Sequence, residues 1–274
     1  MKKRVLFVSQ EINPFLPETE ISKTSRSLPQ ITQESGKEIR IFMPRYGIVN
    51  ERRHQLHEVI RLSGMNLVVD DHDHPLIIKV ASIPQARMQV YFIDNEEYFR
   101  RKAFLRDDKG KLFKDSDERA IFFAKGVLET VKKLGWKPDI IHCHGWMASL
   151  LPVYLKTLHN EDPHFMDAKI VVSLYDNEFE GTLNKRFKDK LAFDGIEEDI
   201  CNVIAKPDYT SLMCLAAKNA DGIVKIGDEI SKEIEQCFDN SDVPVLENPK
   251  DGDIAAAYSA FYDKLLESNT VTTD

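Results

Sequence analysis

The residues Arg4–Ser9, RVLFVS, place apolar side chains on successive positions, not on alternate ones. A strand of that kind needs cover on both faces, which is the signature of a buried parallel sheet. A loop with Pro14 and Pro17 follows, then a helix-periodic stretch from Ser22 to Glu34 stopped by Gly36, then a second apolar run, Ile39–Met43. This strand–loop–helix–strand order predicts a right-handed crossover. The rhythm returns later. Asp117–Leu134 carries Ile121, Ala124, Leu128 and Val131 at helical spacing. Strands are expected at Asp139–Cys143, Lys169–Leu174, Gly222–Ile226 and Val243–Leu246. Helices are expected at Met147–Leu158, Tyr209–Ala217, Asp228–Phe238 and Asp253–Leu266. Between His57 and Asp94 the pattern changes to short β-favouring runs, Val59–Leu62, Met65–Val69, Leu76–Ala81 and Met88–Ile93, which read as hairpins. The fold expectation is α/β: a single Rossmann-like, doubly wound parallel sheet with a β-hairpin elaboration. Residues 1–267 read as one domain and 268–274 as a disordered tail.

The chain has 274 residues and a formal charge of −8, which argues against an electrostatically driven nucleic-acid partner. No apolar run approaches the roughly 18–20 residues that span a bilayer, so no membrane partner is expected. The apolar stretch after MKKR is too short for a signal peptide. Cys143, Cys201, Cys214 and Cys237 show no metal-type spacing, and free buried thiols in a reducing cytoplasm are expected.

No dinucleotide, P-loop, nucleophile-elbow or zincin motif occurs. The sheet's carboxyl edge is the default ligand site, at the loops after Ser9, Cys143 and Leu174. His142 and His144 share one strand face while Cys143 points the other way, which suits a histidine pair beside a cleft better than a metal centre. Asp70–His74 reads as a solvated turn, Asp176, Glu178 and Glu180 as a hydrophilic rim, and Lys185–Lys190 as a solvated helix face. No metal and no cofactor is expected.

Six strings in order resemble the N-terminal domain of bacterial glycogen synthases and plant starch synthases, the family 5 retaining glucosyltransferases. They are VLFVSQEINPF from Val5, LPQITQESGKEIRIFMPRYG from Leu28, IDNEEYFRRKAFL from Ile93, DSDERAIFFAKGVLE from Asp115, KPDIIHCHGWMASLLPVYLK from Lys137 and AKNADGIVKIGDEIS from Ala217. The resemblance implies the N-terminal half of a two-domain GT-B glycosyltransferase. It implies a cleft drawing on Glu11, Tyr98, Arg119, His142, His144, Trp146, Tyr175 and Asp176.

Departures from the family pattern are as ordered as the matches. The family's Lys-Thr-Gly-Gly-Leu donor loop falls on Pro17, Glu18, Thr19, Glu20 and Ile21, so a cation is lost and two carboxylates appear. Like charges beside a diphosphate repel it. His-Asp-Trp has become His144-Gly145-Trp146, Thr-x-His-Asn has become Ser173-Leu174-Tyr175-Asp176, and Asn-x-x-Lys has become Ser211-Leu212-Met213-Cys214. The end of the last string reads Ile226-Gly227-Asp228-Glu229-Ile230 in place of Val-Ser-x-x-Tyr. The length is about that of half a two-domain enzyme, so the second GT-B domain is expected to be absent.

Three functional expectations follow from the resemblance and its departures. The first is a catalytically degenerate homologue of α-glucan metabolism that binds α-glucan or maltooligosaccharide, or regulates. The second is an active retaining synthase using a nucleotide-glucose donor such as ADP-glucose, its second domain supplied by a protein partner. The third is a non-catalytic scaffold with an acidic cleft for a cationic partner.

Overall fold

The computed structural model describes residues 2–176, 179–239, 241–247 and 253–267. The predicted tail at 268–274 and Glu178 of the acidic rim lie outside them. In chain order the elements are β1 (Arg4–Ser9), α1 (Glu20–Glu34), β2 (Glu38–Pro44), α2 (Glu51–His54), β3 (His57–Glu58), β4 (Met65–Val69) and β5 (His72–Ile83). Next come β6 (Met88–Asp94), α3 (Glu96–Phe99), α4 (Ser116–Lys133), β7 (Ile140–His144), α5 (Leu150–Thr157) and β8 (Lys169–Leu174). The chain continues through α6 (Phe187–Phe193), α7 (Glu198–Asn202), α8 (Tyr209–Lys218), β9 (Gly222–Lys225), α9 (Lys232–Gln236), β10 (Val245–Glu247) and α10 (Ile254–Glu267).

The ten-stranded sheet has the order β10-β9-β8-β7-β1-β2-β6-β5-β3, with β4 paired to β5. From β10 to β6 every neighbour is parallel. The antiparallel β5, with β3 and β4, forms the hairpin elaboration beside β6. The sequence reading of a parallel sheet with a hairpin addition therefore holds. Val5, Leu6, Phe7 and Val8 are fully buried, as a strand covered on both faces requires.

Several local expectations are corrected. Val59–Leu62 is a turn, closed by the Leu62 N–H on the Val59 carbonyl at 2.9 Å, and not a strand. The Asp70–His74 stretch is a turn only at its start, because His72–His74 opens β5 and His74 is 6 % exposed. The expected helix over Asp228–Phe238 shortens to α9, whose start is capped by the Ser231 hydroxyl. Cys214 and Cys237 are not free thiols. Because α9 packs on α8, their Cα atoms approach to 5.4 Å, and they form a disulfide that the 23-residue separation alone could not reveal. Cys143 and Cys201 are buried and free, as expected.

The largest correction concerns Lys190, placed on a solvated face by sequence and only 1 % exposed in the fold. Its ammonium reaches from α6 to the start of α4, 2.7 Å from Asp117 and 2.5 Å from Glu118. Burial opposes its charge, yet the hydrogen bonds to Asp117 and Glu118 hold its pKa above the usual lysine value. The network continues outward. The Tyr98 hydroxyl donates to Glu118 at 3.2 Å and lies 2.9 Å from His74 Nε2, and His74 Nδ1 faces Glu97 at 3.0 Å.

Removing one partner of a buried ion pair strands the other charge. Lys190→Ala is expected to cost about 3–5 kcal/mol, measured by chemical denaturation. Lys190→Arg is expected to recover part of that loss.

Candidate functional site

Strand order reverses at β1. The chain moves from β1 to β2 on one side and later returns to place β7 on the other. Open parallel sheets leave a crevice at such a switch point, beyond the carboxyl ends of the strands. A cleft of about 460 Å³ lies there, lined by Gln10 and Glu11 after β1, Trp146 after β7, Thr19 at the start of α1, Phe179, and the Phe104–Leu112 segment.

Glu11 is 4 % exposed, and burial pushes its carboxyl up to about 6 against hydrogen bonds from the Thr19 and Gln10 side chains. Thr19 also caps α1. Its hydroxyl accepts the Ser22 N–H at 3.0 Å, and the Ser22 hydroxyl accepts the Thr19 N–H at 2.8 Å. This capping box occupies donors that an anion at the helix start would otherwise use. Glu18 is exposed and pairs with Lys23 at 3.2 Å, and Glu20 stands in the first turn.

Of the eight residues the resemblance placed in the cleft, Glu11 and Trp146 line it. Trp146 is 1 % exposed and packs its ring 5.1 Å from that of Phe179, so its face is used within the fold. Arg119 lies directly behind the wall, donating to the Phe104 carbonyl at 3.1 Å. Tyr98 belongs to the Lys190 network. His142 and His144 are fully buried and do not border the cleft. His142 lies 2.7 Å from the Tyr262 hydroxyl of α10 and 2.8 Å from that of Ser173, while His144 lies 2.8 Å from the Tyr175 hydroxyl. Burial drives the pKa of His142 well down, the unfavourable placing of a second charge beside His144 adding to it, and lowers that of His144 to about 3. Both imidazoles are thus neutral at physiological pH. Among the described residues no group of His, Cys, Asp and Glu is arranged to hold a metal ion.

Asp176 acts on a different loop. Its carboxylate accepts the N–H groups of Asp228 at 2.8 Å and Glu229 at 3.1 Å, so it shapes the turn after β9. A Cβ on Gly227 would fall 2.1 Å from Asp176 Oδ1. Gly145 behaves similarly: its φ is +80°, and a Cβ there would fall 2.7 Å from the Cβ of Gln10. Sequence reasoning missed Gln10, Phe104, Arg106, Leu112 and Phe179 as cleft walls. The departure at Gly145 was the one legible hint, since a missing side chain there makes room for Gln10.

A doubly wound α/β domain with a polar and aromatic cleft at its switch point is a Rossmann-like ligand-binding domain. Residues 4–242 match the family described as the starch synthase catalytic domain. The chain belongs to that family. It is 38 % identical over 220 residues to a glycogen synthase of Chlorobium limicola, covering 80 % of this chain and 44 % of that protein. It is 40 % identical, with the same coverage, to a glycogen synthase of Chlorobium phaeobacteroides. The fold superposes with a TM-score of 0.71 on the catalytic domain of Starch Synthase IV from Arabidopsis thaliana, solved bound to ADP and acarbose. That match has 16 % identity and covers 90 % of this chain and 51 % of the plant chain. The architecture is that of a GT-B N-terminal domain, and the chain spans under half the length of these glycogen synthases.

Two substitutions test the site's construction. Gly145→Asp is expected to destabilise by about 1–3 kcal/mol through the left-handed backbone and the overlap with Gln10. Denaturation midpoints in Gln10→Gly and wild-type backgrounds check it, the loss being smaller in the former. For Glu11 the folded carboxyl at about 6 lies above its ordinary 4.5. The folded state therefore binds the proton more tightly, and stability falls as pH rises through 4.5 to 6. Glu11→Gln is expected to be more stable than the parent at pH 7 by about 2 kcal/mol, with the difference gone below about pH 4.5. Urea denaturation across that range measures it.

Proposed function

We propose that this chain serves α-glucan metabolism in the cytoplasm as a glycogen/starch synthase-type domain that holds an oligoglucan and lacks its own grip on the diphosphate of a nucleotide sugar. The observation that carries the reading is the mouth between β1 and α1. Glu11 lines the cleft, Glu18 and Glu20 flank Thr19 in the chain, the capping box takes up the Thr19 and Ser22 N–H groups, the loop from Gln10 to Thr19 contains no Lys or Arg, and the nearby Lys23 is paired with Glu18. A diphosphate meets carboxylates where a phosphate site presents cations and free N–H groups. The cleft's mix of Gln10, Glu11, Arg106 and aromatic walls suits the hydroxyls and apolar faces of a sugar. The plant relative was solved with an oligosaccharide analogue, acarbose, beside ADP, which supports a family capacity for glucan binding.

A second reading is favoured by one observation, the share of the relatives' length that the chain spans. Here the domain contributes to an active retaining synthase together with a counterpart of the part of the relatives that it does not match, which would bring the donor contacts.

Calorimetry with maltohexaose, ADP-glucose and UDP-glucose separates them. Maltohexaose is expected to bind and the two nucleotide sugars are not. Binding of either donor, or glucose transfer to a glucan primer, would overturn the claim of a lost grip. Binding of none of the three would leave a scaffold outside glucan chemistry.

A further inference from the structure

Arg119 is 2 % exposed, yet it has no ion-pair partner among the described residues. Its Nη2 donates to the Phe104 carbonyl at 3.1 Å, and its Nε and Nη1 are buried with no hydrogen-bond acceptor. Aromatic rings surround it, the centroids of Tyr46, Phe99 and Phe113 lying 5.4, 5.1 and 5.3 Å from Cζ. These faces attract the cation but accept none of its fork of N–H bonds. The Tyr46 hydroxyl beside it is also buried and unpartnered. Asp115, the carboxylate nearest in sequence, is taken by Arg101 through two bonds of 2.9 and 2.5 Å. Burial lowers the Arg119 pKa only to about 10, so the guanidinium keeps its charge at neutral pH. A buried, charged, half-satisfied fork is a costly arrangement that an incoming anion would relieve.

The barrier between this fork and the cleft is one short segment. Phe104, Leu105, Arg106 and Leu112 line the cleft on one side, and the Phe104 carbonyl meets Arg119 on the other. The segment's tip is an exposed hairpin, closed by the bridge between Arg106 and Leu112, by the Asp107 N–H on the Lys111 carbonyl at 2.8 Å and by the Asp107 carboxylate, which accepts the N–H groups of Lys109 and Lys111 at 2.9 Å. Its base is fixed, because the chain at Arg101 passes so close to Gly47 that a Cβ there would lie 2.1 Å from the Arg101 carbonyl oxygen. The Phe104 ring packs edge-on against Tyr46 with centroids 4.6 Å apart, so a ligand that reaches the fork exchanges one Phe104 carbonyl bond and that ring contact for its own contacts.

We propose that Arg119 is the receptor for an oxyanion, phosphate or carboxylate, carried by a sugar in the switch-point cleft, and that the ligand's oxygens replace the Phe104 carbonyl on the guanidinium. The planar fork takes such a group through two parallel bonds, and the Tyr46 hydroxyl supplies a further donor. The proposal rests on the reading that the cleft takes a sugar. It adds that the preferred sugar is anionic, a class that differs from a nucleotide diphosphate in needing no cation on the β1–α1 loop.

Calorimetry of the full chain with glucose 1-phosphate, glucuronic acid, glucose and inorganic phosphate tests it. At least one anionic sugar is expected to bind tenfold or more tighter than glucose and than inorganic phosphate, and comparison of the two anionic sugars says which oxyanion the site takes. Arg119→Gln is expected to erase that preference and Arg119→Lys to keep part of it. In the unaltered protein the Arg119 Nε–H resonance is expected to shift with the anionic sugar and not with glucose, a readout that needs no variant to fold. Equal binding of anionic and neutral sugars, inorganic phosphate binding as tightly as the sugar phosphate, or a preference that survives in folded Arg119→Gln overturns the proposal. Maltohexaose binding without an anionic preference sinks this inference alone. An anionic preference without maltohexaose binding sinks only the glucan reading.

Discussion

Strand β1 is hydrogen-bonded along both edges, to β2 and β7, and buried on both faces. Its backbone therefore has no freedom to choose where Gln10 and Glu11 emerge. Both neighbours are parallel to it and reached by crossovers of opposite sense along the sheet, so the loops after β1 and β7 diverge and leave a gap. The cleft is a consequence of that reversal more than of any particular side chain. What the side chains decide is what the gap can hold. Glu11 enters it at the cost of desolvating a carboxyl, and the capped start of α1 closes off the helix dipole that would otherwise draw an anion.

Two glycines at the ends of parallel strands are each tied to one neighbouring side chain. Gly145 and Gln10 interlock, since the glutamine side chain fills the space that any Cβ at 145 would need. Gly227 and Asp176 interlock in the same way, the carboxylate seated against the glycine and holding the next two N–H groups. At both glycines a neighbouring side chain occupies the space that a Cβ would need. Local fits of this kind, in which each residue's choice agrees with its neighbour's, are what a single well-defined native state requires.

The parallel strands were legible because their physics is local. An unbroken apolar run means burial on both faces, and its length and flanking breakers mark its ends. The helix α4 was legible from its spacing for the same reason. Lys190 was not, because a charged residue in a run of charged residues carries no sign that Asp117, 73 residues away, will enclose it. The histidines were half legible. Their shared face followed from strand geometry, but their burial depends on Tyr262 of α10, 120 residues on from His142. The cleft was located by topology from sequence, whereas its walls come from the Phe104–Leu112 segment, whose position is set by contacts to Tyr46 and Arg119 that no periodicity announces.

The central position of β1 also has a consequence for how the chain is made. In synthesis β1 precedes both of its partners, and β2 can close one edge once residue 44 is free. The other edge waits for Ile140–His144, which pair with Val5–Ser9. Over the intervening synthesis, at about 5–20 residues per second, an apolar strand stands with open N–H and C=O groups for several seconds. Long-range parallel pairing is slow to form for the same reason of loop closure. The nascent chain thus exposes an apolar strand edge through that interval, and the adjoining basic residues Lys2, Lys3 and Arg4 supply charge that discourages pairing with another copy.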